Sequence, residues 1–117
     1  MTGWPQVAWS PLTEAGSHVY SVVYSPDGSQ IAYGSFDDNV YIHDADDGSH
    51  IRTLTESGGN VFSVVYSPDG SQIAYGAGDE NVYIHDADDG SHIRTLTEAG
   101  STVYSVVYSP DGSQISR

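Results

Sequence analysis

The 117-residue chain contains no lysine and no cysteine. Its only basic residues are Arg52, Arg94 and Arg117, set against 16 acidic residues, for a net charge of −13. A phosphate-binding face needs clustered Lys and Arg to displace counterions, so no nucleic-acid partner is expected. The same balance argues against docking on an anionic membrane. Without cysteine there is no disulfide framework, zinc ribbon or thiol nucleophile. No apolar run is long enough to span a bilayer as a helix. The first 20 residues lack a charged n-region followed by an apolar h-region, so a cytoplasmic location is expected. Helical spacing is missing as well, since no segment sets apolar residues three and four apart over ten positions.

What the chain does have is repetition. Residues 18–59 return at 60–101 with a period of 42, and 35 of the 42 positions are identical. The differences fall at 18, 20, 35, 36, 38, 57 and 59. A third copy occupies 102–117, preceded in the chain by a distinct segment, 1–17. Identity of this order implies recent duplication or design. Within a repeat, VYSVVYS (19–25) is β-branched and aromatic, as a packed strand requires. Ser25-Pro26-Asp27-Gly28 is a turn, with Pro presetting φ at its second position. QIAYG (30–34) and VYIH (40–43) follow as strands, then the acidic turn Asp44–Ser49 and an outer strand, HIRTLT (50–55).

Four short strands per period of about 40 residues is the signature of a propeller blade. SVVYSPDGSQIAYGS (21–35) resembles the first two strands of a WD-repeat blade, and the resemblance runs through 18–117. NVYIHDADDGSHIRTLT (39–55) is similar to the related Tol-type repeat with a Pro-Asp hallmark. The resemblance implies an all-β propeller and a role in binding partners. It also implies a buried hydrogen-bonded set of His, Ser, Asp and Trp in each blade. Only the Asp is kept, at Asp37 and Asp79. Tyr33 and Tyr75 stand in the Ser position, His43 and His85 in the Trp position, and Glu56-Ser57 and Glu98-Ala99 replace Gly-His. With that set missing, stability is expected to come from Val, Ile, Tyr and Leu packed between blades.

The fold expected is therefore a β-propeller fragment of about 2.75 four-stranded blades, counted as 18–59, 60–101 and a half-blade at 102–117. LTEAGS at 12–17 matches 96–101 and suggests an outer-strand remnant within 1–17. Such a fragment leaves strand edges open, and head-to-tail homo-oligomerisation would close the ring. A six-bladed homodimer is preferred and a nine-bladed homotrimer comes second, because rings of roughly 4–8 blades are usual. The residues expected at that interface are Trp9, Leu12, Val103, Val106, Tyr108 and Ile115.

Chemistry is sparse. His43, His50, His85 and His92, beside Asp44, Asp46, Asp86 and Asp88, invite a metal reading. The competing reading, a packed strand histidine, is preferred because His43 alternates with apolar residues. The turns Asp44–Ser49 and Asp86–Ser91 are one residue short of a calcium loop and read as solvated hairpins. Glu14, Glu56 and Glu98 recur by copying, and no serine has a histidine at consistent spacing to serve as its base. No catalytic residue, cofactor or metal is assigned. A non-enzymatic interaction scaffold is expected; the alternative is a ligand- or metal-binding ring using the repeated His/Asp set.

The acidic surplus reads as adaptation to high salt, in preference to a dedicated site for a basic partner. The screening length shrinks from ~10 Å at 0.1 M salt to ~3 Å at 1 M, so self-repulsion weakens. The melting temperature should therefore rise steeply as NaCl increases from about 0.1 to about 2 M. A flat response across that range would remove the salt-adaptation reading.

Overall fold

The computed structural model describes residues 18–97 and 99–116, and these contain ten β-strands. Strands β1 (Val19–Tyr24), β2 (Gln30–Ser35), β3 (Val40–Asp44) and β4 (His50–Leu54) form one antiparallel sheet in sequential order. Strands β5 (Val61–Tyr66), β6 (Gln72–Ala77), β7 (Val82–Asp86) and β8 (His92–Leu96) repeat it. The third copy contributes a two-stranded ribbon of β9 (Val107–Tyr108) and β10 (Ile115–Ser116). The expected outer strand within 1–17 lies outside the described residues.

The turns hold for the reasons their sequences give. In Ser25-Pro26-Asp27-Gly28 the Gly28 N–H donates to Ser25 O at 2.9 Å, with Gly28 at φ +75°. The Asp27 carboxylate accepts from the Ser25 and Ser29 hydroxyls and from Ser29 N–H. The same arrangement recurs at Asp69 and Asp111, whose carboxyls are held down at about 2 by the Ser N–H and hydroxyl donors around them.

The first strand of each copy departs from simple alternation. Val61 pairs with Ala77 and Ser63 with Gly76, so Phe62 is an extra residue, a β-bulge; Tyr20 is the same in β1. The bulge puts Val61 and Val64, three apart, on one face, where both are buried. That face meets the preceding sheet at Gly34, where a Cβ would lie 2.4 Å from Val61 Cγ1 and 3.0 Å from Val64 Cγ2. Gly76 receives Val103 and Val106 in the same way. Ala32, Val40, Ile42 and Leu54 complete the first of these sockets, and Ala74, Val82 and Ile84 the second.

Polar clamps repeat beside the sockets. Tyr66 OH donates to Gln30 Oε1 and Tyr108 OH to Gln72 Oε1, each at 3.1 Å. Val64 N–H donates to Ser21 Oγ, and Val106 N–H to Ser63 Oγ. At the outer edge Arg52 Nη2 donates to Asp88 O of the next sheet at 2.9 Å.

Valine is stiff at χ1 and cannot swing away from an added methyl. Gly76→Ala should therefore destabilise the fold by about 1–3 kcal/mol through overpacking, read as a lower urea midpoint. An unchanged midpoint would mean that the sheets do not approach this closely.

Candidate functional site

Each four-stranded sheet carries one buried imidazole on its third strand. His43 and His85 are both 2% exposed. His43 Nδ1 lies 2.9 Å from Gly48 O, and a carbonyl can only accept, so Nδ1 carries the proton. Nε2 then accepts from Tyr33 OH at 2.9 Å. His85 repeats this with Gly90 O at 3.0 Å and Tyr75 OH at 2.9 Å. Tyr33 stacks between Tyr41 and His43, with ring centroids 5.4 Å from each. Burial lowers the His85 pKa below its ordinary 6.5, with the neighbouring His92 adding to the effect. Burial likewise raises the Tyr75 hydroxyl far above its usual range.

Most of the side chains that invite a metal reading are hydrogen-bonded within their own blade. Both ring nitrogens of His43 and of His85 are taken by hydrogen bonds. His50 and His92 pair through Nε2 with Thr53 and Thr95, each at 2.8 Å. Asp44 accepts from the N–H groups of Asp46 and Asp47, and Asp47 from Ser49 N–H, so these carboxylates hold their own turn. Asp86 does the same for Asp88 and Asp89. Among the described residues no three His, Asp or Glu side chains converge.

Of the residues expected at an interface between copies, Val103 and Val106 are buried within the chain, in the Gly76 socket. Tyr108 and Ile115 are partly covered on the same side. Trp9 and Leu12 lie outside the described residues. Sequence reasoning missed the bulged aromatics. Tyr20, Phe62 and Tyr104 form a ladder across the three copies, with centroids 5.1 and 5.0 Å apart, and Phe36 extends it beside Tyr20 at 5.9 Å. The available signal was the Val-x-x-Val spacing, which breaks the period of two and marks the residue between as displaced.

Three comparisons bear on these sheets. The family model described as "WD domain, G-beta repeat" matches residues 7–44 and 48–86. The chain belongs to this WD-repeat family. A ciliary WD repeat-containing protein, ctxp80, from Euplotoides octocarinatus is 46% identical over 43 residues, which is 37% of this chain and 6% of that protein. The crystal structure of the RRP9 WD40 repeats superposes with a TM-score of 0.78 at 20% identity, covering 81% of this chain and 30% of that one. The chain thus spans a small part of the relatives it matches, and the second likeness speaks for the fold alone. The sheets are WD-repeat propeller blades, a fold that generally acts as a non-enzymatic scaffold for protein interactions.

Within this WD-repeat chain the polar set of each blade is rewritten, which corrects the expectation that it is missing. The residues in the Ser and Trp positions still bond each other, as Tyr33 with His43 and Tyr75 with His85. Asp37 and Asp79 are held by new donors: Tyr41 OH to Asp37, and Tyr83 OH and Gly58 N–H to Asp79. The lowered His85 pKa sets the sign of the acid response. Unfolded chain takes up a proton near 6.5 while the folded blade resists it, so stability is full above that value and falls as pH drops through it. A protonated ring would also lose its bond from Tyr75. The melting temperature should decline between about pH 7.5 and about pH 5.5, and His85→Gln should shrink that decline. An equal slope in the variant would place the acid response elsewhere.

Proposed function

We propose that this WD-repeat chain is a non-enzymatic interaction scaffold that joins copies of itself head to tail into a closed propeller ring. The observation that carries the reading is one side-chain set in two environments. Val64 and Val106 are 2% and 3% exposed, each seated against the preceding blade, whereas Val22, the same residue of the first copy, is 63% exposed. Tyr24 is exposed where Tyr66 is buried.

The third copy presents the matching clamp positions. Ser105, Val107 and Gln114 are exposed, and they occupy the positions from which Ser21, Val23 and Gln30 meet the second blade. Repeating the internal contact between copies would bring Tyr24 OH to Gln114 Oε1 of a second copy and Val22 N–H to its Ser105 Oγ. Such a contact is heterologous and closes by rotation. Two copies would give about six blades, within the usual range, and three about nine. Val103 and Val106 are seated within the chain, and the exposed Val22, Tyr24 and Val107 are the residues this reading places against a second copy. The high acidic charge, borne in the turns, is read as adaptation to a salt-rich setting.

Sedimentation at micromolar concentration in high salt should give twice the chain's 12.5 kDa, or three times it for the larger ring. Val22→Glu should return the protein to a folded monomer, because that side chain is exposed in one copy alone. Val64→Glu should instead unfold it by burying a charge. A folded monomer for the unaltered chain would overturn the reading.

A further inference from the structure

We propose that Tyr75 and Tyr83 form a proton-coupled redox site that reduces strong one-electron oxidants and holds the resulting radical on Tyr75. A phenol is easy to oxidise when a base is placed to receive its proton, because the radical is then neutral. Without that base, oxidation leaves an uncompensated charge, which is costly inside a protein. Both phenols have one. Tyr75 OH donates to His85 Nε2 at 2.9 Å, within proton-transfer reach. The bond from His85 Nδ1–H to Gly90 O holds the imidazole in the tautomer whose Nε2 lone pair accepts. Tyr83 OH donates to the Asp79 carboxylate. All four residues lie within the second blade, so the site does not depend on ring assembly.

The two rings are stacked, with centroids 5.3 Å apart and planes 17° apart, so an electron can pass between them. Tyr75 is fully buried, whereas Tyr83 is tied to Asp79, which is partly exposed in the loop between β6 and β7. Tyr83 is therefore the point of entry. It gives an electron to the oxidant and its proton to Asp79. Tyr75 then gives an electron to Tyr83 and its proton to His85 Nε2, while Tyr83 recovers its proton from Asp79. The end state is a neutral Tyr75 radical beside an imidazolium, with the oxidant reduced by one electron. Glu56 acts on both Tyr75 and His85, and its negative charge favours the imidazolium. Burial and the neighbouring His92 oppose it, so the proton returns to Tyr75 once a small-molecule reductant supplies an electron.

The chain itself supplies a contrast. Tyr66 OH and Tyr108 OH donate to Gln30 Oε1 and Gln72 Oε1, and an amide oxygen does not take up a proton near neutral pH. Satisfying a hydroxyl needs only an acceptor, and an amide suffices for that. An imidazole and a carboxylate at Tyr75 and Tyr83 can also receive the proton. The first blade repeats the set, with Tyr33 bonded to His43 Nε2, Tyr41 to Asp37, and the two rings stacked at 5.4 Å. Composition points the same way. With no cysteine and a single methionine against nine tyrosines, the chain has almost none of the sulfur that ordinarily absorbs oxidants.

The test is flash photolysis of the intact chain with a ruthenium tris(bipyridine) sensitiser and a sacrificial electron acceptor, which together generate a one-electron oxidant in solution. Surface rings are oxidised as well, but the lasting radical should collect where a base has received the proton. Electron paramagnetic resonance of that radical should show an exchangeable-proton coupling that deuterium oxide removes. Isotopically labelled histidine should add a weak nitrogen coupling. His43→Gln with His85→Gln leaves each hydroxyl an acceptor but no base, and should lower the yield of long-lived radical at least about fivefold. Tyr66→Phe with Tyr108→Phe should change the yield by less than about twofold. Circular dichroism shows whether the histidine variant is folded; if it is not, the labelled-histidine spectrum of the unaltered chain decides alone. A radical with no histidine coupling, an undiminished yield in a folded histidine variant, or an equal loss from the Tyr66/Tyr108 pair would each overturn the proposal.

Discussion

A glycine in the second strand of each blade lets two valines from the following blade come within van der Waals range of backbone, and the architecture hangs on that approach. At Gly34 and Gly76 the valine methyls occupy the space a Cβ would fill. Two β-branched side chains then lie fully inside the contact, each stabilising it by about 1.5–3 kcal/mol relative to exposure. The bulge makes the geometry possible, since Val61 and Val64 would otherwise point to opposite sides of their strand. Tyr66 with Gln30, and Ser21 with the Val64 N–H, fix the rotation of one blade on the next. Because every member of the contact belongs to the repeat, blades add one at a time, and stability is the sum of blades and their junctions.

The polar chemistry of the blade is subordinate to this packing. An imidazole between a phenol and a carbonyl is a buried polar group with both nitrogens satisfied, so it costs little to bury while neutral. The carboxylates are kept out of the junction. Asp27, Asp44 and Asp47 spend their oxygens on N–H and hydroxyl donors of their own turns. Their charge is thereby fixed at the rims, where water and salt can screen it. A strongly acidic chain can thus stack sheets face to face, because the faces themselves carry Val, Ile, Ala and Tyr.

Much of this was legible in the residues. The period of 42, the Ser-Pro-Asp-Gly turns and the β-branched runs specified strands at 19–25, 30–34, 40–43 and 50–55; in the two full copies the observed ends differ by one residue, while the third copy's first strand is only Val107–Tyr108. Two features were not legible. The Tyr33–His43 pair joins residues ten apart on neighbouring strands, and only the register Ile31 with His43 and Tyr33 with Tyr41 brings the hydroxyl within reach. The fate of the valines was hidden for a different reason. Val22, Val64 and Val106 sit in the same local sequence, so no propensity or pattern separates them. What distinguishes them is whether another blade stands in front, a property of the assembled array. Val103 and Val106, two of the residues expected at an interface between copies, are seated on the second blade.

The two rims of the blades therefore differ in what holds them. On one, Asp27 and Asp44 and their copies close tight turns with backbone donors, which leaves little freedom for substitution, and the two full copies agree residue for residue there. On the other, side-chain bonds to Asp37 and Asp79 stand beside backbone bonds, as where Phe36 N–H meets His18 O and Gly78 N–H meets Asn60 O. Backbone contacts survive a change of side chain, and Phe36 can become Gly78, or His18 become Asn60, with the same bond in place. The bulged aromatics belong to this second rim. They are held by strand register and not by burial, so their faces remain available. A repeat protein whose blade faces are committed to one another has the rim as its route to chemical individuality, and in this chain that rim is lined with aromatic rings and carboxylates.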